Sequence, residues 1–262
     1  MDFSAIDWQR PWLSHVSELG RSLAVAPDWQ AAANTLARER RLTNAAGLPI
    51  VFSPQNLLPK SVGYELHISQ TGQIPTRDNL HDFFNALIWL HFPNSKRVLN
   101  QLQVEEIHRQ SDRTLRGKQR DAATVFDENA AIFISQDPAL TEWLKRRQWK
   151  NLLHSHATRF HQDCKILLFG HALIEKLIHP YKSITAHVWC LSEQRIFTEN
   201  QTNDAMSSID ESVAKSLASG FVSGDFCHLP VLGIPGWWNG QNEDFYADAE
   251  VFRTSDAQSR TR

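Results

Sequence analysis

If the stretch from Asp78 to His91 is helical, successive residues turn by about 100°, which places four polar side chains on one arc. Relative to His81, Asn85 then falls at roughly 40°, Asp78 at roughly 60° and Asp82 at roughly 100°. Leu80, Phe83, Phe84, Leu87 and Leu90 occupy much of the remainder. An imidazole, an amide and two carboxylates converging on an apolar helix can move protons near neutral pH or ligate a divalent metal. The same pattern is what an amphipathic helix shows to solvent, although this arc runs on into Trp89 and Phe92 and does not stay polar.

A second constellation lies in Phe169-Gly170-His171-Ala172-Leu173-Ile174-Glu175-Lys176. A strand before Gly170 puts His171 on the first turn of a helix that follows a strand, where open α/β sheets carry ligand sites. The positive helix end disfavours imidazolium, so a neutral His171 suits a base or a metal ligand. Glu175, four residues on, shares its face. Asp127 and Glu128 are adjacent carboxylates ahead of a strand. They can bind a cation or divide acid and base roles, although such a run is more often a turn with solvated charges. Trp237 and Trp238, with Phe245 and Tyr246 nearby, can line a ligand pocket or pack an irregular arm onto the core. His154-Ser155-His156 with His161 has metal-like spacing but follows a helix and reads as a surface cluster, and Glu105 with His108 has the spacing of a di-iron helix but no second copy.

These residues need elements to hold them. Helices are expected through the first 45 residues, a strand at Pro49–Phe52 and another at Tyr64–Ile68 ended by Thr71-Gly72. Pro75-Thr76-Arg77-Asp78-Asn79 reads as a helix start with Thr76 as the cap, the helix running to His91 and stopping at Pro93. A second helix covers Ser95 to Gln110, and Ser111 to Arg120 reads as a loop. Strands are expected at Ala130–Ser135, Lys165–Leu168 and Ile184–Leu191. Two short helices cover Pro138 to Leu153, and others cover His171–Ile178 and Asp210–Ala218. Leu229 to Arg253 is too rich in Pro and Gly for much regular structure, and Thr254–Arg262 reads as a frayed tail. The expected architecture is mixed α+β, with one helix-rich globular domain over residues 1–253, a small central sheet and an irregular Pro/Gly/Trp-rich C-terminal arm.

Composition narrows the function classes. The 262 residues carry 27 Lys and Arg against 29 Asp and Glu, a net charge of −2. That lacks the basic excess of a duplex nucleic-acid binder. Cys164, Cys190 and Cys227 form no CxxC and no even-numbered framework, as expected for free thiols in a reducing compartment. The longest apolar region, Ile166 to Ile178, is broken by His171, Glu175 and Lys176. It is short of the about 20 residues a membrane span needs, and no signal peptide is evident. A cytoplasmic location is therefore expected. The phosphate-loop, dinucleotide, HExxH and GxSxG motifs are absent.

The ordered blocks of the chain resemble the bacterial DUF3025 family, a domain of unknown function. The resemblance rests on Tyr64-Glu65, Thr71-Gly72, Pro75 through Leu87, Phe126-Asp127-Glu128, Phe169-Gly170-His171-Ala172-Leu173 with Glu175-Lys176, and Thr185-Ala186-His187. Leu229 through Trp238, Phe245-Tyr246 and Val251-Phe252-Arg253 complete it. It implies a bacterial protein and supplies no activity, substrate or cofactor. His81, Asp82, Asn85, Asp127, Glu128, His171, Glu175 and His187 match the family pattern, which adds His187 to the candidates. The expectation is an acid/base or metal-assisted hydrolase of a small polar substrate. His81, Asp82, Asn85, His171 and Glu175 would be catalytic, and Asp127, Glu128, His187, Trp237 and Trp238 would bind the ligand. A divalent metal is compatible with these side chains. The alternative is a non-catalytic binding or assembly protein whose His/Asp/Glu cluster is a structural polar network.

Overall fold

Asp28 accepts a hydrogen bond from the Ala31 N–H at 3.0 Å and so starts a helix that the preceding segment does not continue. The structure, a computed structural model, describes residues 1–109, 117–191 and 203–254. It is mixed α+β, rich in helix, with a four-stranded and a two-stranded sheet among the described residues. Helices α1 (Ser17–Ala24) and α2 (Trp29–Glu39) lead into β1 (Val51–Pro54), α3 (Tyr64–Thr71) and β2 (Gln73–Thr76), and β1 and β2 pair in parallel. The strand expected at Tyr64–Ile68 is thus helical. Its apolar residues at 64, 66 and 68 fit period two over so short a run, but His67 and Ile68, neighbours in sequence, are both buried, as on one face of a helix. Gly72 ends α3 in the left-handed region at φ 72°. A Cβ there would lie 2.2 Å from the Pro49 carbonyl oxygen.

Helix α4 (Leu80–His91) is capped by Asn79, whose side chain accepts from the Asp82 N–H at 2.8 Å. Thr76, expected as the cap, closes β2 instead and donates its hydroxyl to the Ile74 carbonyl. Nine consecutive residues of α4, Asp82 to Leu90, are buried, so this helix crosses the interior. Of the expected polar arc, Asp82 and Asn85 are buried, His81 is half-buried, and Asp78 is exposed ahead of the helix, accepting from the Trp29 indole N–H at 2.9 Å. Helix α5 (Pro93–Arg109) follows at once. Of the expected loop, residues 111–116 lie outside the described residues, and Lys118 to Arg120 open α6 (Lys118–Asn129). Asp127 and Glu128 therefore sit on the last turn of a helix rather than in a turn of their own.

The remaining elements are β3 (Ala130–Ser135), α7 (Pro138–Lys145), α8 (Ala157–Asp163), β4 (Cys164–Leu168), α9 (His171–Lys176), β5 (Thr185–Leu191), α10 (Asn203–Ala218), β6 (Cys227–Pro230) and α11 (Glu243–Ala247). A π-helical turn, Lys150–Ser155, joins α7 to α8. The main sheet has the order β4-β3-β5-β6. Strand β3 runs antiparallel to β4 and parallel to β5, and β5 runs antiparallel to β6. Every residue of β3 is buried, as its apolar Ala-Ala-Ile-Phe-Ile run demands of a strand covered on both faces. The short edge strand Cys227–Pro230 runs into the start of the stretch, from Leu229 on, expected to be largely irregular. Asp210 of α10 caps α5 from a distance, accepting from the Asn94 and Ser95 N–H groups at 2.8 and 2.9 Å.

The C-terminal arm beyond β6 is largely irregular, and its backbone is satisfied by side chains. Gln241 donates to the Leu232 and Ile234 carbonyls and accepts from the Gly236 N–H, each at 2.8 Å. The Tyr246 hydroxyl donates to the Gly233 carbonyl at 2.9 Å. Phe245, Tyr246 and Phe252 are buried, whereas Trp237 and Trp238 are half-buried. Residues 255–262, most of the expected tail, lie outside the described residues. No helix among the described residues is long and apolar enough to cross a membrane.

Candidate functional site

The site is assembled by one close backbone contact. After β4, the Phe169 and Gly170 N–H groups both donate to the Ala130 carbonyl, at 3.0 and 2.8 Å. Gly170 has ordinary backbone angles (φ −63°, ψ 113°), so conformational freedom is not why glycine is needed. A Cβ would lie 2.5 Å from the backbone nitrogens of Asn129 and Ala130, closer than atoms can sit. The absent side chain lets the start of α9 rest on the end of α6 and brings His171 against Asp127 and Glu128. Helix α4 packs on α9 and presents His81 to the same point.

The Nε2 atoms of His171 and His81 lie 3.1 Å apart, with the rings tilted by 74°. Glu128 Oε2 is 3.4 Å from His171 Nε2 and 4.0 Å from His81 Nε2. One donor atom from each of His81, Glu128 and His171 lies within 4.8 Å of the others, which is metal-ligating spacing. On the far side of its ring, His81 Nδ1 meets Glu175 Oε2 at 2.9 Å. A carboxylate accepts, so Nδ1 carries the proton and Nε2 turns its lone pair toward His171 and Glu128. His171 is 3 % exposed, and its Nδ1 lies 4.0 Å from Asp127 Oδ2.

Asp82 and Asn85 play other parts. The Asp82 carboxylate accepts from the Arg77 backbone N–H at 2.6 Å and from the Arg77 guanidinium at 3.0 Å through both oxygens, which fixes the entry into α4. Asn85 accepts from Lys96 Nζ at 2.8 Å and donates to the Tyr64 hydroxyl at 3.1 Å. Lys96, which is buried, also donates to Asp127 Oδ1 at 2.5 Å. His81, Glu128 and His171 open onto a cleft of 410 Å³ whose wall also includes Tyr64, Asp82, Asn85, Arg120 and Asp127. His187, Trp237 and Trp238 do not line it. The Asn129 side-chain amide meets His187 Nδ1 at 3.0 Å, and the His187 ring packs tilted against that of His228, centroids 4.9 Å apart. Trp237 packs 6.1 Å from Trp12.

The family described as a protein of unknown function, DUF3025, matches residues 50–256. The chain belongs to the DUF3025 family. No curated protein and no solved structure matches it. His81, Glu128, His171 and Glu175 all fall inside the stretch shared with DUF3025, as do Tyr64 and Lys96.

Electrostatics in this DUF3025 cleft favour a neutral imidazole at the buried end. Burial pulls His171 down to about 4, against the opposing pull of Asp127. Burial, and then the Asp127 charge, raises Glu128 above its ordinary value. Asp127 is also raised by burial, but the Lys96 ammonium and the two histidines outweigh that and hold it below its ordinary value. Tyr64 and Lys96 carry no chemical motif in the sequence. The one signal for Lys96 is a cation in the opening turns of α5, the helix end where positive charge is least favourable, which points to a fixed partner.

Proposed function

We propose that His81, His171 and Glu128 hold a divalent metal ion and that the protein is a metal-dependent hydrolase of a small polar substrate. The observation that carries this reading is the convergence of two imidazole Nε2 atoms and one carboxylate oxygen on the wall of a cleft. Zn–N bonds of about 2.0–2.1 Å at tetrahedral angles put ligand nitrogens about 3.4 Å apart, close to the 3.1 Å found between the histidines. Glu175 behind His81 supplies the carboxylate that typically fixes the tautomer of a ligating histidine. If a divalent ion were held by His81, Glu128 and His171, it would supply Lewis-acid activation of water and of a carbonyl or phosphoryl group at the cleft.

A second reading has its own support. A separation of 3.1 Å is also a hydrogen-bond distance. Without a metal, a His171 that carries its proton on Nε2 donates it to the His81 Nε2 lone pair, while His81 Nδ1 donates to Glu175. The site would then be an acid/base pair or a structural polar network. Metal titration of the chelator-treated protein separates the two. Binding of one zinc or manganese ion, lost in His81→Ala and His171→Ala, together with metal-dependent turnover in a panel of esters, amides and phosphoesters, supports the hydrolase. No stoichiometric metal binding overturns it.

A further inference from the structure

The hydrogen bonds behind the cleft have a forced direction. Lysine ammonium has donors only, so Asn85 must turn its carbonyl oxygen to Lys96 Nζ, 2.8 Å away. Its amide nitrogen is then the atom facing the Tyr64 hydroxyl at 3.1 Å, and it donates. Tyr64 therefore accepts from Asn85, and its own O–H proton points elsewhere. Tyr64 lines the same cleft as His81, Glu128 and His171. Three of the four carboxylates of that wall are engaged by neighbours, Asp82 by Arg77, Asp127 by Lys96, and Glu65 by the Asn100 amide at 2.7 Å, and the fourth, Glu128, is the proposed metal ligand. Arg120 adds a guanidinium to the wall, and its Nε is buried without a hydrogen-bond partner. Tyr64 and Arg120 therefore bring hydrogen-bond donors to this wall of the cleft.

We infer that the cleft binds an oxyanion of its substrate, a carboxylate or a phosphoryl group, through the Tyr64 hydroxyl and the Arg120 guanidinium, with Lys96 and Asn85 as positioning residues that aim the Tyr64 proton. This rests on the metal reading above, since the cation offsets the carboxylates around it and leaves room for a bound anion. Burial raises the Tyr64 phenol well above its ordinary value, so it stays a neutral donor and does not act as a base.

The test is calorimetric titration of inorganic phosphate, and separately of acetate, into the zinc-loaded full-length protein. Wild type binds at least one of the two, and which binds tighter tells whether the group is tetrahedral or planar. Tyr64→Phe weakens that binding by about tenfold or more, the loss expected for one hydrogen bond to a charged group, with zinc affinity unchanged. In Asn85→Asp, Lys96 still donates to one carboxylate oxygen, but the other now accepts the Tyr64 proton and turns it from the cleft. The added charge alone also repels an anion, so this substitution is read in both backgrounds. It costs more affinity in the wild-type protein than in Tyr64→Phe. Unchanged oxyanion binding in Tyr64→Phe, equal losses from Asn85→Asp in the two backgrounds, or no binding of either anion by zinc-loaded wild type overturns the oxyanion site while the metal centre stands. Failure of wild type to bind zinc brings down the metal centre and the oxyanion site with it.

Discussion

His81 and His171 face each other through their Nε2 atoms at 3.1 Å, although 90 residues separate them in the chain. Each ring is turned by something behind it. For His81 it is Glu175, and for His171 it is the contact between Gly170 and the end of α6. These supporting groups can be altered without touching a proposed ligand.

Glu175→Gln keeps the size of the side chain and removes its charge. The expected result is a zinc affinity about 10- to 100-fold weaker, the usual cost of losing a carboxylate behind a ligating histidine. Thermal stability should change little. Competition with a chromophoric chelator reads the affinity, and a value equal to wild type would mean that Glu175 does not orient the ring.

Gly170→Ala tests the close contact directly. The backbone angles suit alanine, so any loss comes from the Cβ forced against Asn129 and Ala130. Overpacking of this kind costs about 1–3 kcal/mol. Urea unfolding should show that loss, and metal affinity should fall with it because His171 moves. An alanine variant as stable as wild type would show that the helix ends can separate freely.

Lys96→Met leaves Asp127 buried without its counter-charge and the Asn85 carbonyl without its donor. Breaking one half of a buried pair costs about 3–5 kcal/mol. Adding Asp127→Asn should recover much of that loss, because no isolated charge then remains. Urea unfolding of the two single variants and the double variant measures the coupling, and purely additive losses would contradict it.

Stability should fall in mild acid. Burial pulls His15 down to about 4, with His91 adding to the effect, while its Nε2 donates to the Leu168 carbonyl at 2.8 Å. Burial also lowers His91. Between about pH 6.5 and pH 4 the unfolded chain binds protons that the folded chain refuses, so stability rises with pH across that window and levels off above it, by up to about 1.4 kcal/mol per pH unit for each such group. His15→Gln keeps a donor for Leu168 and removes one titrating group. Its unfolding free energy should depend on pH less steeply, and an unchanged slope would assign the acid sensitivity elsewhere.

Much of the cluster is legible in the sequence because helical spacing is local information. His81 with Asn85, and His171 with Glu175, share faces at four-residue separations, and Gly170 marks the turn that places the second pair. The mixed α+β class and the buried strand at Ala130–Ser135 are legible for the same reason. What depends on distant partners is not. Tyr64 to Ile68 satisfies strand and helix periodicity alike, and only the burial of His67 beside Ile68 decides for helix. Asn79 rather than Thr76 caps α4 because β2 claims Thr76. Lys96 and Tyr64 join the site through Asn85 and Asp127, contacts that span 11, 21 and 31 residues of chain and that no spacing rule anticipates.

The geometry of β3 has a kinetic corollary. This central strand pairs with β4 and with β5, which begin 29 and more residues later along the chain, and the Ala130 carbonyl at its start receives the two N–H groups that seat α9. Pairings between distant parts of a chain close late, after the local helices have formed. Histidine-pair closure should therefore be among the last events of folding, and metal capture during refolding would time the completion of the sheet rather than the appearance of α4 or α9.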